Sequence, residues 1–321
     1  MGHILKTAFK SGKFRFGFTT ISLILLIVIF YPVFVHRDPL KMEGSMFETP
    51  NLFEMMQSKK EADSGSAAAA PQDEAMNELM AQFGFTAIQK ETPKILHLLG
   101  TDNFGRDVLT ELVAGTRTSL LIGLMAGTIA TIIGLSIGLL AGYVGGQIDN
   151  ILTTVTNVFI VIPSFVILIL ISVSLKSRSF ITTALVIGIT AWPWTARSVR
   201  AQTTSLRNRD HVNLSKLSGH SMPRIIIHDI LPYVASYVMM AFILQMASGI
   251  LAEASLSMMG LGPQNVASLG LMMNWAVNFS ALPNGAWWAF LPVVCVIALI
   301  TFSLNLINSG LDQVFNPQIR S

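Results

Sequence analysis

The chain has 321 residues, is 52% hydrophobic and only 12% charged, and carries a net charge of +3 at neutral pH. A soluble domain would carry about 25% charged residues, and the mean hydropathy here is +0.59, so an ordinary water-soluble globule is excluded. The small basic excess reads as orientation of membrane spans rather than as attraction to nucleic acid.

In chain order, apolar runs occupy residues 17–35, 118–142, 151–175, 180–199, 230–259 and 287–310. Each is close to the ~20 residues with which a helix crosses a bilayer. Backbone in lipid must satisfy its own hydrogen bonds, so helices are expected throughout. The predicted fold class is an all-α membrane protein with about six transmembrane helices. The first run follows Lys6, Lys10, Lys13 and Arg15, a pattern that can also open a signal peptide. Its length, and the lack of a small-x-small cleavage site in "YPVFVHRDP", favour a retained anchor.

Those basic residues place the N-terminus in the cytoplasm. Alternation puts residues 197–229 inside as well, where Arg197, Arg200, Arg207, Arg209, Lys216 and Arg224 face only Asp210 and Asp229. Residues 260–286 contain no Lys, Arg, Asp or Glu and are expected outside. Both termini are then cytoplasmic. This divides the chain into a tail and first helix at 1–35, an extracytoplasmic loop with a flexible insert at 36–98, and a five-helix core at 99–321 with a cytoplasmic loop at 200–232.

Within the insert, "DSGSAAAAPQ" reads as a flexible linker. "DEAMNELMAQF" places Met76, Leu79, Met80 and Phe83 on one helical face, which suits either a short surface helix or a docking element for an external partner. In the cytoplasmic loop, "RDHVNLSKL" is helix-compatible, with Val212, Leu214 and Leu217 expected to supply apolar contacts. Gly219 suits a helix end that needs positive φ. Ser221 can cap a second short helix, and Pro223 suits an early position in it. "RIIIHDI" then runs into Leu231-Pro232. The residues alone leave two readings, an interfacial helix on anionic lipid or a protein-docking helix.

Glu253 is the one acid well inside a predicted span, with Ser257 a turn later. An intramembrane acid marks either a path-lining group or a polar fastener between helices. Pro163 and Pro193 are expected to act as hinges in spans three and four. Trp275, Trp287 and Trp288 suit an aromatic belt, and Cys295, the single cysteine, suits core packing. There is no G-x-x-x-x-G-K-[ST], no HExxH and no Cys/His cluster of zinc spacing. No cofactor, metal ligand or catalytic residue is assigned, and His211, His220 and His228 are too irregularly spaced for a metal site.

The loop also resembles the signature loop of permease subunits of bacterial ABC importers, E-A-A, three residues, Gly, nine residues, I-x-L-P. Gly219 and Leu231-Pro232 lie at the expected distance, while Asn213-Leu214-Ser215 replaces E-A-A. "LGTDNFGRDVLTELVAGTRTSLLIGL" is similar to the entry to the second span in dipeptide, oligopeptide and nickel permeases. "LAGYVGGQIDN", "AEASLSMMGLGPQ" and the final span and tail, including Asn305, Gly310, Leu311, Asp312, Pro317 and Arg320, are similar to segments of the same family.

The resemblance is to the second, C-type permease. It implies a type I ABC importer permease fold in the bacterial cytoplasmic (inner) membrane. It implies a homologous second permease, two P-loop ATPase subunits and an extracytoplasmic substrate-binding protein as partners. Asp210, His211, Asn213, Leu214, Ser215, Gly219, Ser221 and Arg224 would then belong to a helix that couples to the ATPase. The alternatives are a secondary transporter, which needs more midplane ionisable groups or repeated halves than this chain offers, and a non-transporting scaffold.

Overall fold

A computed structural model describes residues 8–51, 97–175 and 177–315. The helices are α1 (Gly12–Phe34), α2 (Val108–Val144), α3 (Gly146–Val161), α4 (Ser164–Ser174), α5 (Phe180–Leu206), α6 (Asp210–Leu217), α7 (Met222–Ile225), α8 (Leu231–Met258), α9 (Leu269–Asn278) and α10 (Leu291–Phe315). A π-turn at Ile226–Ile230 joins α7 to α8. The candidate amphipathic stretch around Met76 to Phe83, the linker before it, Pro317 and Arg320 lie outside the described residues.

Among the described residues, four helical runs are long and apolar enough to span: Gly12–Phe34, Val108–Val144, Met222–Met258 and Trp287–Phe315. A fifth is the α3–α4 pair, bent by 83°. The six apolar runs expected from the sequence all correspond to helices, α5 being the sixth, and two of them depart from a simple span. The third run is broken at Ile162 and Pro163, because Pro163 has no N–H to continue the ladder. α5 falls below the hydropathy of a simple span because its second half carries Arg197, Arg200, Gln202 and three hydroxyl side chains from Thr203 to Ser205. Pro193 lies inside α5, which continues through it.

α2 is the central post. At ~1.5 Å per residue its 37 residues reach well beyond a ~30 Å hydrocarbon layer. Gly134, Gly138 and Gly142 form a seam along which α5 lies. A Cβ at Gly134 would sit 2.6 Å from the Thr195 Cβ, at Gly138 2.7 Å from the Val199 Cβ, and at Gly142 2.6 Å from the Thr203 Cβ. No side chain fits, and that is why the backbones approach so closely. In lipid, where the hydrophobic effect gives helices little reason to associate, such contact is the main attraction. α8 packs on another face of α2, and Ile250, Val108, Leu112 and Leu269 join one buried cluster. α1 packs on α10 through Phe14 and Leu311, and most of its large apolar side chains, such as Leu23, Ile29 and Val33, face outward.

Two further expectations change. Cys295 is exposed on the outward side of α10 rather than packed in the core, since Val293 and Ile297 take the inward positions of that turn. Of the three tryptophans, Trp288 is buried and donates from Nε1 to the Thr101 carbonyl at 3.1 Å. Trp275 lies against Arg106. Only Trp287 is exposed enough for a belt.

Candidate functional site

Three polar regions stand out, one at each end of the bundle and one within it. At the end formed by α5, α6 and α8, the chain leaves α5 at Leu206, turns through residues 207–209 and enters α6. Val212, Ile225 and Ile230 are buried and pack with Leu139, Val199 and Leu206. That single cluster fixes the loop to α2, α5 and α8. Asn213 donates to the Asn208 carbonyl at 3.1 Å and Lys216 to the Arg207 carbonyl at 2.9 Å, so both bind the turn rather than a distant charge. His211 stacks on Tyr233 with ring centroids 4.8 Å apart.

α6 ends as expected. Gly219 has φ +73°. Its N–H donates to the Lys216 carbonyl, and the His220 N–H donates to the Ser215 carbonyl, the paired bonds of a Schellman end. Ser221 holds the N-cap position of α7 but its side chain makes no cap bond there, so the expected hydroxyl cap is corrected. Pro223 lies at the start of α7. Farther on, Pro232 cannot donate to the His228 carbonyl and crowds it. The ladder widens there, and the Leu231 N–H donates to the Ile226 carbonyl, as in a π-turn. α7, the π-turn and α8 thus form one run, Met222–Met258.

Of the three residues expected to supply apolar contacts, Val212 does so within the chain, whereas Leu214 and Leu217 face outward. They are 66% and 86% exposed, because only the Val212 face of α6 meets the bundle. Asp210, Asn213 and Arg224 are exposed on the same loop, with Ser215 and His211 half-buried.

Inside the bundle, Glu253 is fully buried. Ser119 of α2 donates to Oε2 at 2.7 Å, and Ser257 donates to Oε1 at 2.7 Å. Ser268 is also within hydrogen-bonding reach of this carboxyl, and the Leu269 N–H donates to the Ser119 hydroxyl at 3.1 Å. One carboxyl therefore joins α2, α8 and the start of α9.

The opposite end carries residues that sequence reasoning met only as a motif. Asp107 caps α2, accepting from the Thr110 N–H at 2.9 Å. The His97 ring lies 3.2 Å from it, and Tyr31 of α1 lies 3.0 Å from Thr110. Asp102 accepts from the Phe104 and Arg106 N–H groups at 2.8 Å each and from Arg106 Nε at 2.9 Å. Burial pushes the Asp102 carboxyl above its ordinary range, while the Arg106 bonds and charge and the Phe104 N–H pull it down. The Arg106 guanidinium sits 4.3 Å from the Phe104 ring centre and 3.9 Å from that of Trp275. Residues 43–51 lie along this knot. Gly44 donates to Gly105, Phe47 to Asp102, Thr101 to Glu48, and Asn51 to His97, all at 2.9–3.2 Å. Residues 43–51 of the expected extracytoplasmic loop are thus tied to residues 97–105. The signal available in sequence was Asp107 three residues before Thr110, an N-cap spacing.

An all-helical chain with several spans, a docked loop at one end and no metal-binding group of His, Cys, Asp or Glu among the described residues is, by class, an integral membrane component. Residues 134–321 match the family described as binding-protein-dependent transport system inner membrane component. The chain is 34% identical over 233 residues to the dipeptide transport system permease protein DppC of Bacillus subtilis, covering 72% of each chain. It is 32% identical over 234 residues to the oligopeptide transport system permease protein OppC of Mycobacterium tuberculosis, covering 72% of this chain and 79% of that one. An inward-facing structure of the MetNI methionine ABC transporter overlaps it with a TM-score of 0.48 at 19% identity, over 63% of this chain and 97% of that one. The chain belongs to the binding-protein-dependent transport system inner membrane component family. It is a permease subunit and a multi-pass protein of the cytoplasmic membrane.

Proposed function

We propose that the chain forms half of the translocation path of an ATP-driven importer for peptides or a related solute, and that residues 210–224 dock on a separate ATPase. The observation that carries this reading is the pair of bare leucines, Leu214 and Leu217, on a helix anchored to the bundle by Val212. Burying a leucine contributes about 1.5–3 kcal/mol. An exposed ion pair contributes ~0–1 kcal/mol. Apolar contact therefore outweighs the charges of Arg209 and Arg224 in such a dock, and the lack of the family's glutamate at Asn213 is offset. Movement of the docked loop passes across the Gly219 turn to the helical run Met222–Met258 and so into α8.

On this reading the partners are a homologous second permease, two P-loop ATPases and an extracytoplasmic substrate-binding protein. Glu253 and Ser257 act as fasteners that keep the spans moving as one body. The test is purification of the intact complex after Leu217→Cys is introduced into a Cys295→Ser background, followed by cross-linking and mass spectrometry. A cross-link to a P-loop ATPase supports the dock. A complex that contains the ATPase but cross-links Leu217→Cys only to lipid or to nothing would remove it.

A further inference from the structure

The break between α3 and α4 lines a cavity of about 450 Å³. Irregular backbone at membrane depth is tolerated where it is buried in protein or lines water. Ile162, Pro163 and Ser164 are exposed in the isolated chain, so this chain's own packing does not bury the break. The lining is mostly apolar, with a few polar groups set into it. Arg197 on α5 and Gln245 and Ser248 on α8 face the cavity with Ser164.

Arg197 is the one charged residue in that lining. One turn farther along α5, Arg200 donates from Nη2 to Asp149 at 2.7 Å. Arg197 is exposed and pairs with no carboxylate among the described residues. A charged side chain held against apolar walls is costly unless it meets water or a counter-charge. Gln245 is fixed, donating from Nε2 to the Ala191 carbonyl at 2.9 Å and to Thr195 Oγ1 at 2.8 Å. Both of its hydrogens are committed, so what it retains for a ligand is the acceptor Oε1. The cavity thus combines a free guanidinium, a positioned acceptor and hydroxyls between the apolar walls of Phe159 and Trp194. That set complements a small molecule with a carboxylate and nearby N–H groups.

We propose that this cavity is a waypoint on the translocation path in which Arg197 receives a carboxylate, the free C-terminus of a transported peptide. The assignment rests on the importer reading above. It is tested in proteoliposomes holding the whole complex and its binding protein, by ATP-driven uptake of trialanine and of trialaninamide. The binding protein is the same throughout, so its own preference cancels in the comparison of variants. Arg197→Ala lowers the trialanine-to-trialaninamide uptake ratio roughly tenfold, as loss of a charge-assisted hydrogen bond requires. Arg197→Lys keeps most of the ratio. An unchanged ratio in Arg197→Ala, whether or not total uptake falls, overturns the assignment and makes Arg197 a partner-binding or lipid-facing residue. Failure of the wild-type complex to take up either probe with ATP overturns the peptide reading, and this assignment with it.

Discussion

At the scale of single residues, Gly219 and Glu253 separate conformation from connection. A Cβ at Gly219 would meet no atom within 4 Å, so only its positive φ demands glycine. Alanine there costs about 1 kcal/mol. We expect Gly219→Ala to weaken ATPase binding by about fivefold, read by titrating purified permease with ATPase, while the melting temperature of the bundle stays put. Glu253 is the reverse case, constrained by what it binds. Removing it strands two serine hydroxyls in the core, and each unmatched polar group costs about 1–3 kcal/mol. Glu253→Ala is expected to lower stability by about 3 kcal/mol or more, with Glu253→Gln losing roughly half as much because it keeps one acceptor oxygen. Thermal unfolding in detergent measures both, and an alanine variant as stable as wild type would end the fastener reading.

At the scale of elements, the structure turns on absence of side chains. α2 and α5 meet along Gly134, Gly138 and Gly142, so the seam tolerates no added bulk. Gly138→Leu is expected to cost about 1–3 kcal/mol or more by overpacking, seen as a lower melting temperature and poorer recovery of the complex. Ile132→Leu, at an outward position of the same helix, is the control and should change little. The sequence displays such glycines without saying which helix they admit, because the partner lies some 60 residues away along the chain. The break at Pro163 was legible as a hinge for the same local reason that proline always is. Its 83° angle was not, since the angle is set by what α3 and α4 pack against.

At the scale of the whole molecule, the hydrophobic runs made the class readable, and the Gly219 turn and Leu231-Pro232 made the course of the loop between α5 and α8 readable. Hydropathy hid the true start of α2, because Glu111, Thr116 and Arg117 interrupt it although the Asp107 cap lies nine residues before Thr116. It hid the outward turn of Leu214 and Leu217, since α6 is too short for its periodicity to name a buried face. It also hid the partnership of Ser119 with Glu253, 134 positions apart. The knot at residues 43–51 and 97–107 yields a prediction at this scale. Because Asn51 donates to His97, the ends of segment 52–96 already meet. Replacing 52–96 by a few glycines and serines is expected to leave the melting temperature and assembly with the second permease unchanged. A deletion that starts at residue 43 is expected to lower both, because it removes the bonds to Gly105, Asp102 and Thr101. Equal damage from the two deletions would refute the boundary. The two bare leucines of α6 have a consequence for supply. If the proposed ATPase docks on them, a newly made copy that has not yet met it holds an apolar pair in water, the kind of surface that chaperones and proteases recognise in orphan subunits. The amount of this chain that survives in a cell should therefore follow the amount of ATPase made beside it, so that stoichiometry is set by decay of the unassembled copies.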